Sequence, residues 1–158
     1  MNSFKIKSYA KINLALNVLS RIHSLHKIES IVSFLDLHDE ILIKRIKNRN
    51  HKIKFIGKFS NNIKPKNTIS QLLKNIDKKK LLKDKFQILV KKNIPLEAGL
   101  GGGSMNAASI LNFLIKKKLI KIKKKEIIEI SNSIGSDVIL GIYSKNLILR
   151  SNNLIKIF

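Results

Sequence analysis

Residues 95–108 read Pro-Leu-Glu-Ala-Gly-Leu-Gly-Gly-Gly-Ser-Met-Asn-Ala-Ala and hold four of the chain's seven glycines. An apolar, strand-like run, Phe86-Gln87-Ile88-Leu89-Val90, comes before them. After them Ala107 to Leu114 places apolar residues at helical spacing. Strand, glycine loop and helix in that order make an anion-binding device. Glycine lets backbone N–H groups turn toward a ligand with no Cβ in the way, and the open N–H groups of the following helix favour a phosphate. Ser104 is placed to cap that helix or to touch a phosphate oxygen. No Gly-Lys-Ser/Thr follows, so the loop is not a Walker A sequence. It is not the G-x-G-x-x-G dinucleotide pattern either. A linker or a tight turn is the alternative, and the regular elements on both sides argue against a linker.

The spacing Pro-x-x-Ala-Gly-Leu-Gly-Gly-Gly-Ser-x-Asn-Ala-Ala resembles the phosphate loop of the GHMP kinases, which include galactokinase, homoserine kinase and mevalonate kinase. Among their branches it is most similar to the kinases of 4-diphosphocytidyl-2-C-methyl-D-erythritol in non-mevalonate isoprenoid synthesis. By this resemblance Pro95, Leu96, Glu97, Ala98, Gly99, Leu100, Gly101, Gly102, Gly103, Ser104 and Met105 line the ATP phosphates. Met105 stands where relatives commonly carry Ser or Ala, and Glu97 is expected to point to solvent.

Two further stretches extend the resemblance in the expected order. Residues Phe4 to Val18 read as a strand. Ile12, Leu14, Leu16 and Val18 fall on one face and Lys11 with Asn13 on the other. Periodicity alone reads this as a half-buried strand with a solvated polar face. Tyr9-Ala10-Lys11-Ile12-Asn13-Leu14 is, however, similar to the family segment in which the lysine is catalytic and the asparagine faces the substrate. The resemblance therefore implies those roles for Lys11 and Asn13. Gly135-Ser136-Asp137-Val138 resembles the Gly-Ala-Asp-Val-Pro that carries the catalytic aspartate, which assigns Asp137. The usual proline is Ile139 here, and beyond this point the match weakens.

Leu25-His26-Lys27-Ile28-Glu29-Ser30 matches a segment whose histidine helps to hold the cytosine ring, which implies that role for His26. An aromatic residue that could stack on the base is replaced by Leu25. Residues 28–46 read as two strands joined by a turn at Asp36-Leu37-His38-Asp39, the two acids being turn residues. A short strand is expected at Ile53–Gly57. Asn67 can cap a helix running from Ile69 to Ile76, and by resemblance it lies near the adenine. Lys78 to Lys85 reads as a solvated loop, and a second helix from Lys124 to Ile134 ends at Gly135.

Composition narrows the alternatives. The chain has 158 residues, enough for one domain with a core. With no cysteine, disulfides and thiolate zinc sites are excluded, and the four histidines show no metal-ligand pairing with carboxylates. No secretory leader and no bilayer-length apolar run is visible, so the expected location is cytoplasmic. The net charge of +22 invites a polyanion reading. Yet only four basic residues, Arg21, Arg45, Arg49 and Arg150, are arginine, and the lysines spread along the whole chain. Specific nucleic-acid binding is therefore not expected. A shared A/T-rich codon preference for Lys, Ile and Asn is the favoured reading of the charge.

The resemblance implies an α+β fold of the ribosomal protein S5 domain 2-like type, with a mostly antiparallel sheet and helices on one side. It implies ATP and Mg²⁺ as cofactors and cytidine diphosphate methylerythritol as the small-molecule substrate. It covers the N-terminal ATP-binding domain of such a kinase, over residues 1–158, without the C-terminal domain. A homo-oligomer or a separate C-terminal-half chain is the partner that this leaves open, and apolar surface is expected where the second domain would dock. Two other readings remain open on sequence alone: a non-catalytic remnant with residual nucleotide binding, and a basic RNA-binding domain of related fold.

Overall fold

A computed structural model describes residues 3–22, 25–143, 145–150 and 154–157, with side chains described for residues 3–17, 29–143 and 145–149. Strands β1 (Ser3–Ile22) and β2 (Leu25–Ile46) form a long antiparallel ribbon. β3 (Lys52–Ile56), helix α1 (Thr68–Lys78) and β4 (Lys85–Lys91) follow as a crossover unit. Then come α2 (Gly102–Lys116), α3 (Lys124–Ile134), the short α4 (Val138–Tyr143), and strands β5 (Leu147–Arg150) and β6 (Leu154–Ile157).

β2 is the spine of the six-stranded sheet. β1 lies along one of its edges, while β4 and β5 share the other, β4 at residues 40–46 and β5 at residues 29–32. Among the described residues only β3 and β4 pair in parallel, as a helical crossover requires. The sheet is thus mostly antiparallel, and its helices cover one face.

Bulges set the phase of this ribbon. Tyr9 faces His38, but Lys11 faces Phe34, so β2 carries extra residues at 35–37. The irregularity shifts the alternation, and Val32, Phe34, Ile41 and Ile43 all reach hydrophobic clusters despite differing parity. The expected turn at residues 36–39 is therefore a bulge in one continuous strand. Asp36 projects into solvent there, with His38 Nδ1 2.7 Å from its carbonyl. Asp39 is no turn residue and is fully buried.

The core packs Ile41, Ile43, Phe86, Ile88 and Val90 of the sheet against Ile69, Leu72 and Ile76 of α1 and Ile110, Leu111 and Leu114 of α2. Asn67 caps α1 as expected, accepting the N–H groups of Ile69 and Ser70 at 3.1 and 3.0 Å. α3 also runs as expected, but Gly135 closes it with extended backbone at φ 170°, not in the left-handed region. α4, directly after Asp137, had no sequence signal. Its Gly141 presses on α2, where an added Cβ would stand 2.6 Å from that of Ala108.

The outer face departs from simple alternation. Leu14 and Leu16, expected on a buried face, are 64% and 54% exposed, whereas Lys11, expected on the solvated face, is 6% exposed. The glycine loop and the start of α4 pack over Lys11, and β1 bulges at Leu14, where two steps on β1 match one on β2. The side chain of Val18 lies outside the described residues.

Candidate active site

The loop between β4 and α2 folds back on β1. The Lys11 N–H donates to the Leu100 carbonyl at 3.0 Å, which seats the loop on the edge of the strand. Gly101 takes φ +66° just before α2 and leaves no space for a side chain. A Cβ there would stand 2.9 Å from Lys11 Cγ and 3.1 Å from its Cε. Glycine is thus required twice at this position, by conformation and by contact. The first helical bond of α2 runs from the Met105 N–H to the Gly101 carbonyl. The N–H groups of Gly102, Gly103 and Ser104 consequently have no acceptor within the helix, the arrangement that receives an anion.

Those groups open on a groove of about 340 Å³ lined by Lys11, Lys92, residues 95–104 and Asp137. On its rim Lys11 Nζ lies 3.2 Å from Asp137 Oδ2, with side-chain exposures of 7% and 33%. Lys11 Nζ also donates to Asn13 Oδ1 at 3.3 Å. The three residues come from the first strand and from the residue preceding α4, and the fold brings them to one point beside the loop. A buried ammonium held against a one-third-exposed carboxylate places a positive charge on the rim of the groove. The exposed third of the Asp137 side chain is open to an incoming hydroxyl.

A second cavity of about 310 Å³ adjoins the groove, lined by Phe55, Ile63, Asn67, Ile69 and Leu96 among others. Asn67 borders it, but its amide is engaged in capping α1 and in donating to the carbonyls of Lys64 and Pro65 at 3.1 and 3.2 Å. Thr68, which carried no sequence signal, joins the starts of the two helices by donating its hydroxyl to the Gly103 carbonyl at 2.6 Å.

Several expected roles shift. Ser104 does not cap α2, whose N-cap is Gly101 with no side-chain bond; it lines the groove instead. Met105 turns away from the groove and packs with Val32, Leu140 and Leu147, at 2% exposure. Its amide is already bonded to Gly101, so neither end of Met105 is free for a phosphate. Glu97 is exposed, with φ 55°. The His26 side chain lies outside the described residues; its backbone pairs with Arg21 in the ribbon.

Behind the loop lies a group that local sequence patterns missed. Asp39, fully buried, accepts from Lys92 Nζ, from the N–H groups of Asn93 and Ile94 at 2.7 and 2.9 Å, and from Asn106 Nδ2 at 3.0 Å. These partners lie more than fifty residues away in sequence, beyond the range of any local pattern.

The sequence profile of the GHMP kinases N terminal domain matches residues 67–145. Over its whole length the chain is 64% identical to the 4-diphosphocytidyl-2-C-methyl-D-erythritol kinase of Pelagibacter ubique, 57% of which it covers. The enzyme of that name from Finegoldia magna is 38% identical over 84% of this chain and 48% of its own length. A crystal structure of 4-(cytidine 5'-diphospho)-2C-methyl-D-erythritol kinase superposes with a TM-score of 0.78 at 21% identity, over 98% of this chain and 55% of that one. The mevalonate kinase of Methanococcus jannaschii superposes at 0.68, with 18% identity over 99% of this chain and 56% of that one. The chain spans about half the length of the curated relatives it matches. With the glycine loop, the Lys11–Asp137 pair and the sheet arranged as described, the chain belongs to the GHMP kinase family, whose N-terminal domain it carries.

Proposed function

We propose that this chain is the nucleotide-binding lobe of an ATP-dependent kinase that phosphorylates the 2-hydroxyl of 4-diphosphocytidyl-2-C-methyl-D-erythritol, in isoprenoid precursor synthesis. The observation that carries the reading is the Lys11–Asp137 pair, 3.2 Å apart on the rim of the glycine-loop groove. Likeness to kinases named for that acceptor supports its choice as substrate.

In this reading the N–H groups of Gly102, Gly103 and Ser104 hold the ATP phosphates, and the adjoining apolar cavity takes the adenine, with Asn67 on its border. Asp137 orients the acceptor hydroxyl and takes its proton as the oxygen attacks the γ-phosphorus. Lys11 holds the Asp137 carboxylate in position and stabilises the charge that builds on the moving phosphoryl group. Asn13, bonded to Lys11, faces the acceptor. His26 is assigned to the cytosine by sequence likeness alone.

Magnesium fits the groove as an ion carried by the nucleotide. Asp137 and Ser104 offer oxygen donors there, and no cluster of three acidic or histidine ligands occurs among the described residues. When bound, the ion neutralises phosphate charge. A second lobe, from further sequence, another chain or a second copy, would close the groove; the exposed Leu14 and Leu16 beside Asn13 offer it apolar surface.

The test is ADP release from Mg-ATP by the purified chain, with and without the cytidyl acceptor, beside Asp137→Asn. Acceptor-dependent release that vanishes in the variant supports the reading. A folded chain that neither binds ATP nor releases ADP, alone or with an added C-terminal lobe, overturns it.

A further inference from the structure

One buried carboxylate holds both ends of the glycine loop. Asp39 Oδ1 accepts the N–H groups of Asn93 and Ile94, the residues that lead into the loop. Its Oδ2 accepts from Asn106, which follows the loop in α2, and from Lys92 Nζ. Lys92 and Ile94 also form the floor of the loop. An added Cβ on Gly102 would stand 3.2 Å from Lys92 Nζ and 3.0 Å from Ile94 Cγ2. Lys92 itself borders both the groove and the adjoining cavity. Asp39, Lys92, Ile94 and Asn106 are all at least 98% buried.

A buried ion pair is a poor way to stabilise a core. Apolar residues of similar volume commonly do as well, and removing one partner strands the other charge. This pair has work that an apolar replacement could not do. Carboxylate oxygens can accept several N–H groups at once, and here they collect donors from the entry, the floor and the exit of one loop. An unneutralised carboxylate so close to an anion site would repel the anion, and Lys92 cancels that charge.

We propose that the Asp39–Lys92 pair is the positioning element of the phosphate site. Asp39 clamps the two ends of the glycine loop so that the Gly102, Gly103 and Ser104 amides converge before the ligand arrives, and Lys92 keeps the field there favourable to polyphosphate. The proposal rests on the phosphate-binding reading of the loop. Rigidity set in advance avoids an ordering cost on binding, so loosening the clamp weakens phosphate binding more than base binding.

The experiment compares wild type with Asp39→Asn, Asn106→Ala and the charge-free double variant Asp39→Asn/Lys92→Gln. Each is titrated calorimetrically with ADP, adenosine and tripolyphosphate, and followed by amide hydrogen exchange across residues 95–104 at a temperature where melting curves show it folded. The expected result for Asp39→Asn is a loss of about tenfold or more in affinity for ADP and tripolyphosphate, with adenosine changed by less than about threefold, and faster exchange of the loop amides. Asn106→Ala, which removes only the exit tether, shows the same effects on tripolyphosphate and on exchange. It serves if the Asp39 variants do not fold. Folded variants that bind tripolyphosphate as wild type does, with loop exchange unchanged, overturn the clamp. A wild type that binds no nucleotide overturns the kinase reading, while the exchange comparison still decides whether the clamp orders the loop.

Discussion

Lys11 Nζ and Asp137 Oδ2 lie 3.2 Å apart although 126 positions of sequence separate them, and the lysine is almost wholly buried while the aspartate is one-third exposed. Under the kinase reading proposed above, that asymmetry separates their roles in catalysis from their roles in stability. Asp137→Asn keeps the shape and removes the base proposed for the reaction. Acceptor-dependent turnover is expected to fall by about 10²–10⁴-fold while ADP affinity stays within a few-fold of wild type. Steady-state ADP release and calorimetry on the same sample check this. An equal loss in both quantities would mean that Asp137 serves nucleotide binding, not proton transfer.

Two left-handed glycines of the same loop should answer differently to alanine. At Gly99, φ is +72° and nothing lies within 4 Å of an added Cβ, so Gly99→Ala should cost about 1–2 kcal/mol from backbone conformation alone. At Gly101 the new methyl would also meet the Lys11 side chain at 2.9 Å. Gly101→Ala should therefore cost about 2–4 kcal/mol and displace Lys11, with turnover lost as well. Urea midpoints rank the two, and indistinguishable values would contradict the close approach of Lys11.

Met105 belongs to the packing between α2 and α4, not to the groove. Met105→Ala should destabilise the fold by about 2–4 kcal/mol, while tripolyphosphate affinity, measured where the variant is folded, stays as in wild type. Met105→Ser should likewise fail to improve phosphate binding, because the new hydroxyl would point into the core.

Stability should fall as the solution is acidified from neutral, and His51 is one cause. Burial pushes its imidazole below the ordinary 6.5, outweighing the opposite pull of Asp77. The Phe86 N–H donates to its Nδ1 at 3.0 Å, which leaves Nε2 to carry the proton toward Asp77 at 3.4 Å. The unfolded chain takes up a proton first, so the stability tied to His51 is complete above pH 6.5 and is lost as pH falls through the lower folded value. Glu40, held below its ordinary 4.5 by hydrogen bonds from Lys5 and Lys91, adds a further loss below that pH. Urea midpoints from about pH 8 to 5 report the first step, and His51→Gln should flatten it.

Local features were the legible ones. The strand–loop–helix order around Gly99–Gly103, the Asn67 cap, β3 and α3 all follow from neighbours a few residues apart, where turn chemistry and periodicity act. Lys11, Asn13 and Asp137 were found only through their family resemblance, since nothing in β1 itself says that a loop ninety residues later will cover its lysine. Alternation misread Leu14 and Leu16 because bulges reset the phase of a ribbon that periodicity treats as uniform. Asp39 was misread as a turn residue for a related reason. Its partners Lys92, Asn93, Ile94 and Asn106 gather only in the folded chain, and an acid between two strand-like runs is more often a turn. Thr68, which ties α1 to the glycine loop, left no trace for the same reason of distance.

The bond from the Lys11 N–H to the Leu100 carbonyl has a further consequence, for association between molecules. β1 pairs with β2 along one side, and its other side is a sheet margin of the kind that can recruit a strand from a neighbour. At residue 11 that margin is already taken by the loop. A foreign strand could not run in register past Lys11 without first lifting the glycine loop. The contact that seats the loop therefore also interrupts the open margin of β1 as a template for self-assembly.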